Sequence, residues 1–179
     1  MPHRVPTSTG PHSTVHERGV IPREPTRALA ALRVRDLQQL ALPRLEHIWS
    51  TSPCAPLPGG TWQGTYLCEL PMSAPKRFLA RAMFKWRAFG LDLDANKWWF
   101  REPRRHVAAF EPVPGPSRWR DADVVQLHYE HTGPHLLKHQ LYDELKPLND
   151  HCILAIGGSN HDALRGTWFF FALSPFVVS

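Results

Sequence analysis

Alternation of apolar and polar residues with a period of two dominates the chain after residue 57, and helical spacing dominates a shorter stretch before it. From Thr61 to Leu70, Trp62, Gly64, Tyr66, Cys68 and Leu70 fall on one face, while Thr61, Gln63, Thr65 and Glu69 fall on the other. That pattern predicts a half-buried strand. Further strands are predicted over 86–93 and 97–102, which flank the turn Asp94-Ala95-Asn96, and over 105–113, 124–130, 137–146, 151–156 and 167–173. About eight strands in close succession, with no helix between the later ones, predict an antiparallel meander, and a meander that closes on itself hides its edges. The structural rivals are an open sheet and a two-layer sandwich.

Two segments read as helical. Leu29, Leu32, Val34, Leu37, Leu40, Leu45, Ile48 and Trp49 recur at roughly helical spacing behind Thr26, a capping residue. Pro43 is expected to stop or kink that helix, giving one helix to about Ala41 and a further turn or short helix as far as Ser50. Phe78, Leu79, Ala82, Met83 and Trp86 share one side of a second, short helix, with Lys76, Arg77, Arg81 and Lys85 turned away, and this basic helix should flank the barrel. The expected organisation is therefore a flexible tail over 1–25, a helix and Pro-rich connector over 26–56, and a barrel over 57–179.

Composition narrows the function classes. With 179 residues the chain fits one domain, and 42% hydrophobic with 21% charged residues is ordinary for a globular protein. The unusual number is eighteen prolines, which should mark joints between short elements. A net charge of +5 is scattered along the chain, so nucleic acid is not an expected partner. Three cysteines, Cys54, Cys68 and Cys152, without C-x-x-C spacing indicate neither a disulfide framework nor a zinc knuckle. No apolar run is long enough to span a bilayer and the N-terminus lacks a secretory h-region, so a cytoplasmic protein is expected.

The string Gly60-Thr61-Trp62-Gln63-Gly64-Thr65-Tyr66 resembles the Gly-x-Trp opening of lipocalin-like (calycin) barrels. Four later segments extend the likeness: Asp123 to Tyr129, Tyr142 to Lys146, Leu154 to Gly158 and Trp168 to Leu173 are similar to an uncharacterised lipocalin-like family of bacteria and fungi. The resemblance covers roughly residues 57–174. It implies a mainly β fold, a single antiparallel lipocalin-like barrel with an N-terminal helix and one short flanking helix, and an interior able to hold a ligand; it implies no activity. His128 departs from it, standing where the family usually has an acidic residue. The Gly-Thr-Trp-x-Gly string also resembles the start of nitrobindin-type haem barrels, a likeness that nothing further along the chain extends.

Candidate chemistry concentrates on the run Leu137, His139, Leu141, Asp143, Leu145, where an ionisable pair shares one face with three leucines. A carboxylate there needs a donor, and His139, His128, Tyr129 or an arginine could supply one. Such an enclosed carboxyl would have a perturbed pKa and could act as an acid or base or anchor a polar group; equally, it could tie the strand to a loop. The opposite face, with Tyr142 and Glu144, is the other candidate for the interior. Asp143, His139 and Tyr129 are the candidate catalytic residues. Trp62, Tyr66, Trp86, Trp99, Phe110, His128, Tyr142, Glu144, Trp168 and Phe170 are the candidate ligand contacts, aromatic walls with a few polar neighbours.

Eleven histidines never form a helical His-x-x-x-His pair, and Gly133-Pro134 interrupts the spacing of His131, His135 and His139, so no metal and no cofactor is expected. Phosphate loops, nucleophile elbows and dinucleotide fingerprints are lacking in the sequence, which disfavours kinases, hydrolases and dehydrogenases. The expected function is binding of a small, largely apolar molecule in a barrel cavity. The alternatives are a cofactor-independent cyclase or isomerase acting in that cavity, a haem-binding barrel, and a packed structural or partner-binding barrel whose basic helix meets an acidic surface.

Overall fold

The structure, a computed structural model, describes residues 27–85, 88–129, 141–160 and 165–177. The expected tail, Trp86, His131, His135 and His139 lie outside the described residues. Three short helices come first: α1 (Arg27–Ala31), α2 (Val34–Leu37) and α3 (Leu42–Thr51). Pro43 stands in the first turn of α3, where a residue without an N–H costs nothing, so the chain breaks at Ala41 before it; the helix expected ahead of it is two short pieces, α1 and α2.

Nine strands make one antiparallel sheet: β1 (Thr61–Glu69), β2 (Phe89–Asp92), β3 (Lys97–Phe100), β4 (Glu102–Ala109), β5 (Glu111–Pro116), β6 (Asp123–His128), β7 (Tyr142–Asn149), β8 (Cys152–Ser159) and β9 (Gly166–Pro175). Between β1 and β2 lie α4 (Ala74–Ala80) and a π-helical turn, Arg81–Lys85. The strand order is β4-β3-β2-β1-β9-β8-β7-β6-β5, so two meanders meet where the first strand pairs with the last. The two outermost strands, β4 and β5, are joined in the chain through Phe110, and the sheet forms a nearly closed barrel. The single strand expected over 105–113 is thus two.

Prolines explain where the ladder ends. Pro103 in β4 and Pro112, Pro114 and Pro116 in β5 occupy the two outermost strands, where a missing N–H removes no ladder bond and discourages edge pairing with other chains. The strand expected to end at 146 continues instead: β7 runs through Pro147 to Asn149, and the ladder to β8 is irregular at that point.

Alternation along the strands sorts the apolar residues into two clusters. Trp62, Phe89, Leu91, Trp98, Phe110, Val125, Leu127, Leu145, Ile153, Ala155, Phe169, Phe171 and Leu173 fill the barrel interior. The other parity of β7, β8 and β9, with Leu154, Ile156, Phe170 and Ala172, packs outside against Leu37, Leu45, Ile48 and Trp49 of the helices. Strand β8 is therefore buried on both faces and reads as an unbroken apolar run. Two irregularities shift parity: one between Tyr66 and Cys68 turns Cys68 to the outer cluster although Trp62, Gly64 and Tyr66 face inward, and one opposite Gly157 and Gly158 brings both Trp168 and Phe169 into the inner cluster.

One cation fastens the helices to the wall. Lys146, 1% exposed, donates from Nζ to the carbonyls of Trp49 at 2.7 Å and Ser52 at 2.9 Å, the unsatisfied carbonyl end of α3. Burial pushes its pKa down. Glu46 of α3 accepts from Arg120 at 2.7 and 2.9 Å, and Asn149 donates to the carbonyls of Leu29 and Leu32. Lys146→Met keeps the aliphatic stem but leaves two enclosed carbonyls without donors. It should cost about 1–3 kcal/mol, read as a lower urea midpoint with an unchanged slope.

Candidate functional site

Asp143 and Tyr129 meet on the interior face. Asp143 pairs with Leu127 across β6 and with Gly157 across β8, and Gly157 in turn pairs with Phe169, so the four residues form one row round the wall. Tyr129 lies two residues beyond Leu127 on the same parity, diagonally opposite Asp143, and its hydroxyl donates to Asp143 Oδ2 at 2.5 Å. The face carrying Leu141, Asp143 and Leu145 is thus the inward one. Gly157 makes the room: a Cβ there would stand 2.7 Å from the Phe169 ring and 3.1 Å from Asp143 Oδ1. Its value is the missing side chain.

The carboxyl is enclosed in an apolar wall, and burial, the largest effect, pushes its pKa up to about 7; the Tyr129 hydrogen bond pulls it down and the Glu144 charge pushes it up. Tyr129 itself is raised well above the ordinary phenol value by burial and by the Asp143 charge. Asp143 nevertheless keeps some accessible surface, unlike Tyr129 at 2% exposure, and Oδ1 has no hydrogen-bond partner among the described residues.

Aromatic rings surround this pair. Phe110 lies edge-on to Tyr129 at 6.0 Å, and Phe84 from the π-helical turn meets Phe169 at 4.8 Å, Phe89 at 5.5 Å and Trp98 at 5.9 Å. Tyr66 stacks on Phe169 at 5.3 Å; its hydroxyl is sealed from solvent close to the Glu69 carboxylate, and burial, followed by the Glu69 charge, raises its pKa. Beside it, Arg81 forms a bidentate pair with Glu69, Arg77 stands 3.3 Å from the same carboxylate, and Arg81 above all holds the Glu69 pKa down.

Among the sequence candidates, Tyr129, Asp143, Trp62, Tyr66, Phe110 and Trp168 come together in or against the interior cluster. Others face the outside of the wall. Phe170 packs on Trp49, and Trp99 on Phe176. Tyr142 lies against Trp119 and under the Arg118 guanidinium, while Glu144 accepts from Ser117 Oγ at 2.6 Å and the Arg118 amide at 2.7 Å, which pins the β5–β6 loop to the barrel. The His128 ring nitrogen lies 2.8 Å from Gln126 Oε1 on that same side. His139 and Trp86 lie outside the described residues. Sequence reasoning missed Phe84, Phe89, Phe171 and Gly157 as site residues; on β9 the signal was the parity of the aromatic run, which the irregularity at Trp168 obscures.

Two clefts break the outer surface near these elements. One, of about 510 Å³, opens between Gly64–Leu67 of β1 and Phe84, Lys85 and Ala88, where β1 has run beyond its pairing with β2. The other, of about 460 Å³, is polar and lies between the end of α3, the β5–β6 loop and Lys146. Among the described residues no cluster of three or more His, Cys, Asp or Glu side chains could hold a metal, and no helix is long and apolar enough to cross a membrane.

No protein-family model matches the chain, and no curated protein matches it. Among solved structures, a crystal structure of a protein from Thermomonospora curvata is similar, with a TM-score of 0.46, 14% identity, and coverage of 79% of this chain and 99% of that one.

Asp143 links stability to pH. Its folded pKa lies above the ordinary 3.8, so between about 4 and 7 the folded state holds a proton that the unfolded chain releases, and the stabilisation falls as pH rises through that window. At roughly 1.4 kcal/mol per unit the loss amounts to a few kcal/mol. Urea midpoints should fall from pH 5 to pH 8 in the native chain and change much less in Asp143→Asn, which still accepts from Tyr129. Tyr129→Phe, which removes the bond that favours the ionised form, should move the Asp143 midpoint upward.

Proposed function

We propose that the barrel binds one small, largely apolar molecule, gripped by the inner aromatic rings and oriented by Asp143 and Tyr129. The carrying observation is a carboxyl that accepts from Tyr129, lies among Leu127, Leu145, Phe169 and Phe110, and retains accessible surface. A carboxyl with a pKa near 7 offers either a donor or an acceptor at neutral pH, so a ligand with one hydroxyl or carbonyl suits it. The nearly closed antiparallel barrel and the Gly-x-Trp opening support placing the chain among lipocalin-like proteins. On this reading Trp62, Phe84, Phe89, Trp98, Phe169 and Phe171 supply flat walls, and the outward-facing Tyr142, Glu144, Phe170 and Trp99 hold the scaffold.

A second reading has one observation in its favour. A carboxyl poised near neutrality and bonded to a phenol is equipped to move a proton, as a cyclase or isomerase working without a redox cofactor requires. There the cavity would hold the substrate in its reactive shape, with Asp143 as the acid or base and Tyr129 as its partner. Binding and catalysis separate in Asp143→Asn: turnover lost with affinity kept marks the enzyme.

Native mass spectrometry of the purified chain should show one bound small molecule per barrel. For an apolar fluorescent probe bearing a single hydroxyl, Asp143→Asn should weaken binding up to about tenfold, the worth of one hydrogen bond, and should leave a purely apolar analogue unaffected. No saturable binding of either probe would contradict the proposal.

A further inference from the structure

The segment Ala74–Lys85 faces two ways. Ala80 and Phe84 belong to the interior cluster, so one side of it closes on the barrel core. Phe78, expected on the apolar side of this segment, is instead 69% exposed, because Ala80 and Phe84 supply the buried side and leave its ring in water. Lys76, Arg77, Arg81 and Lys85 accompany it, and the acid that meets them, Glu69, is shared between Arg77 and Arg81. Four cations against one carboxylate leave the segment net positive, with Arg77 and Lys85 exposed.

An exposed aromatic ring among cations is poorly served by water and well served by a lipid surface, where the ring enters the headgroup boundary and the cations face phosphates. An acidic protein surface would use the charges but give Phe78 no special part. We propose that Ala74–Lys85 docks this protein on an anionic membrane surface, with Phe78 inserted and Lys85 and its neighbours at the headgroups. The cleft between β1 and Phe84, Lys85 and Ala88 is lined in part by Lys85, so docking would bring that opening to the lipid. The inference does not depend on ligand binding in the barrel and is read without any ligand.

Flotation of the full chain with vesicles of phosphatidylcholine alone, or with about one-third phosphatidylglycerol, tests it. The chain should associate only with the anionic vesicles, and roughly tenfold less at about 0.5 M salt, where the screening length shrinks to a few ångströms. Phe78→Ser and Lys85→Glu change solvent-facing residues, and circular dichroism checks that each variant folds. Each should cut association about tenfold. Failure of the native chain to float with anionic vesicles overturns the proposal. So does native-like association of Phe78→Ser with loss only in Lys85→Glu, the signature of charge attraction alone, as to an acidic protein.

Discussion

Closing one sheet on itself takes every second side chain of β7, β8 and β9 out of water, and the rest of the molecule follows from that exclusion. Interior positions must then be apolar or partnered, because an unpaired polar group there costs several times what a hydrogen bond contributes. Leu145, Ile153, Ala155, Phe169 and Phe171 meet the demand by composition. Asp143 meets it through the Tyr129 hydroxyl and a pKa raised toward neutrality, which keeps part of the population uncharged. Gly157 is the spatial condition for that solution, since any side chain at that position would press on both the carboxyl and Phe169.

The outer face of the same strands solves a different problem. There the wall is covered by short helices with too few turns to hold themselves, and stability comes from their apolar sides and from polar ties. Lys146 satisfies the carbonyl end of α3, Arg120 and Glu46 join α3 to the β5–β6 loop, and Glu144 gathers that loop through Ser117 and Arg118. Tyr142, Glu144 and Lys146 thus form a polar row outside the barrel, back to back with Leu141, Asp143 and Leu145 inside. Adjacent residues of one strand serve scaffold and candidate site in alternation.

Much of this was legible in the chain itself. Period-two runs marked β1, β6 and β7, turn residues bounded most of the others, and Trp62, Gly64 and Tyr66 disclosed the inward face of β1 because alternation is a direct consequence of the pleat. Asp143 stood out as a charge among leucines. What could not be read were the places where the pleat is interrupted: the parity change before Cys68, the irregularity that turns both Trp168 and Phe169 inward, and the passage of β7 through Pro147. Each depends on the partner strand, which no local pattern encodes. The face of β7 was likewise undecidable, since Tyr142 and Glu144 are as buried as their neighbours, for reasons supplied by Ser117, Arg118 and Trp119 far along the chain.

Everything proposed for the interior turns on Asp143 being a carboxyl enclosed in the apolar wall and raised toward neutrality by its burial. Carbon-detected nuclear magnetic resonance of the aspartate carboxyls across pH measures this at the atom concerned. One carboxyl signal, absent from Asp143→Asn, should titrate near pH 7, and its midpoint should move when an apolar hydroxyl-bearing molecule is added. An Asp143 signal that titrates near 4 and ignores every such molecule would place the carboxyl in open water and contradict its role.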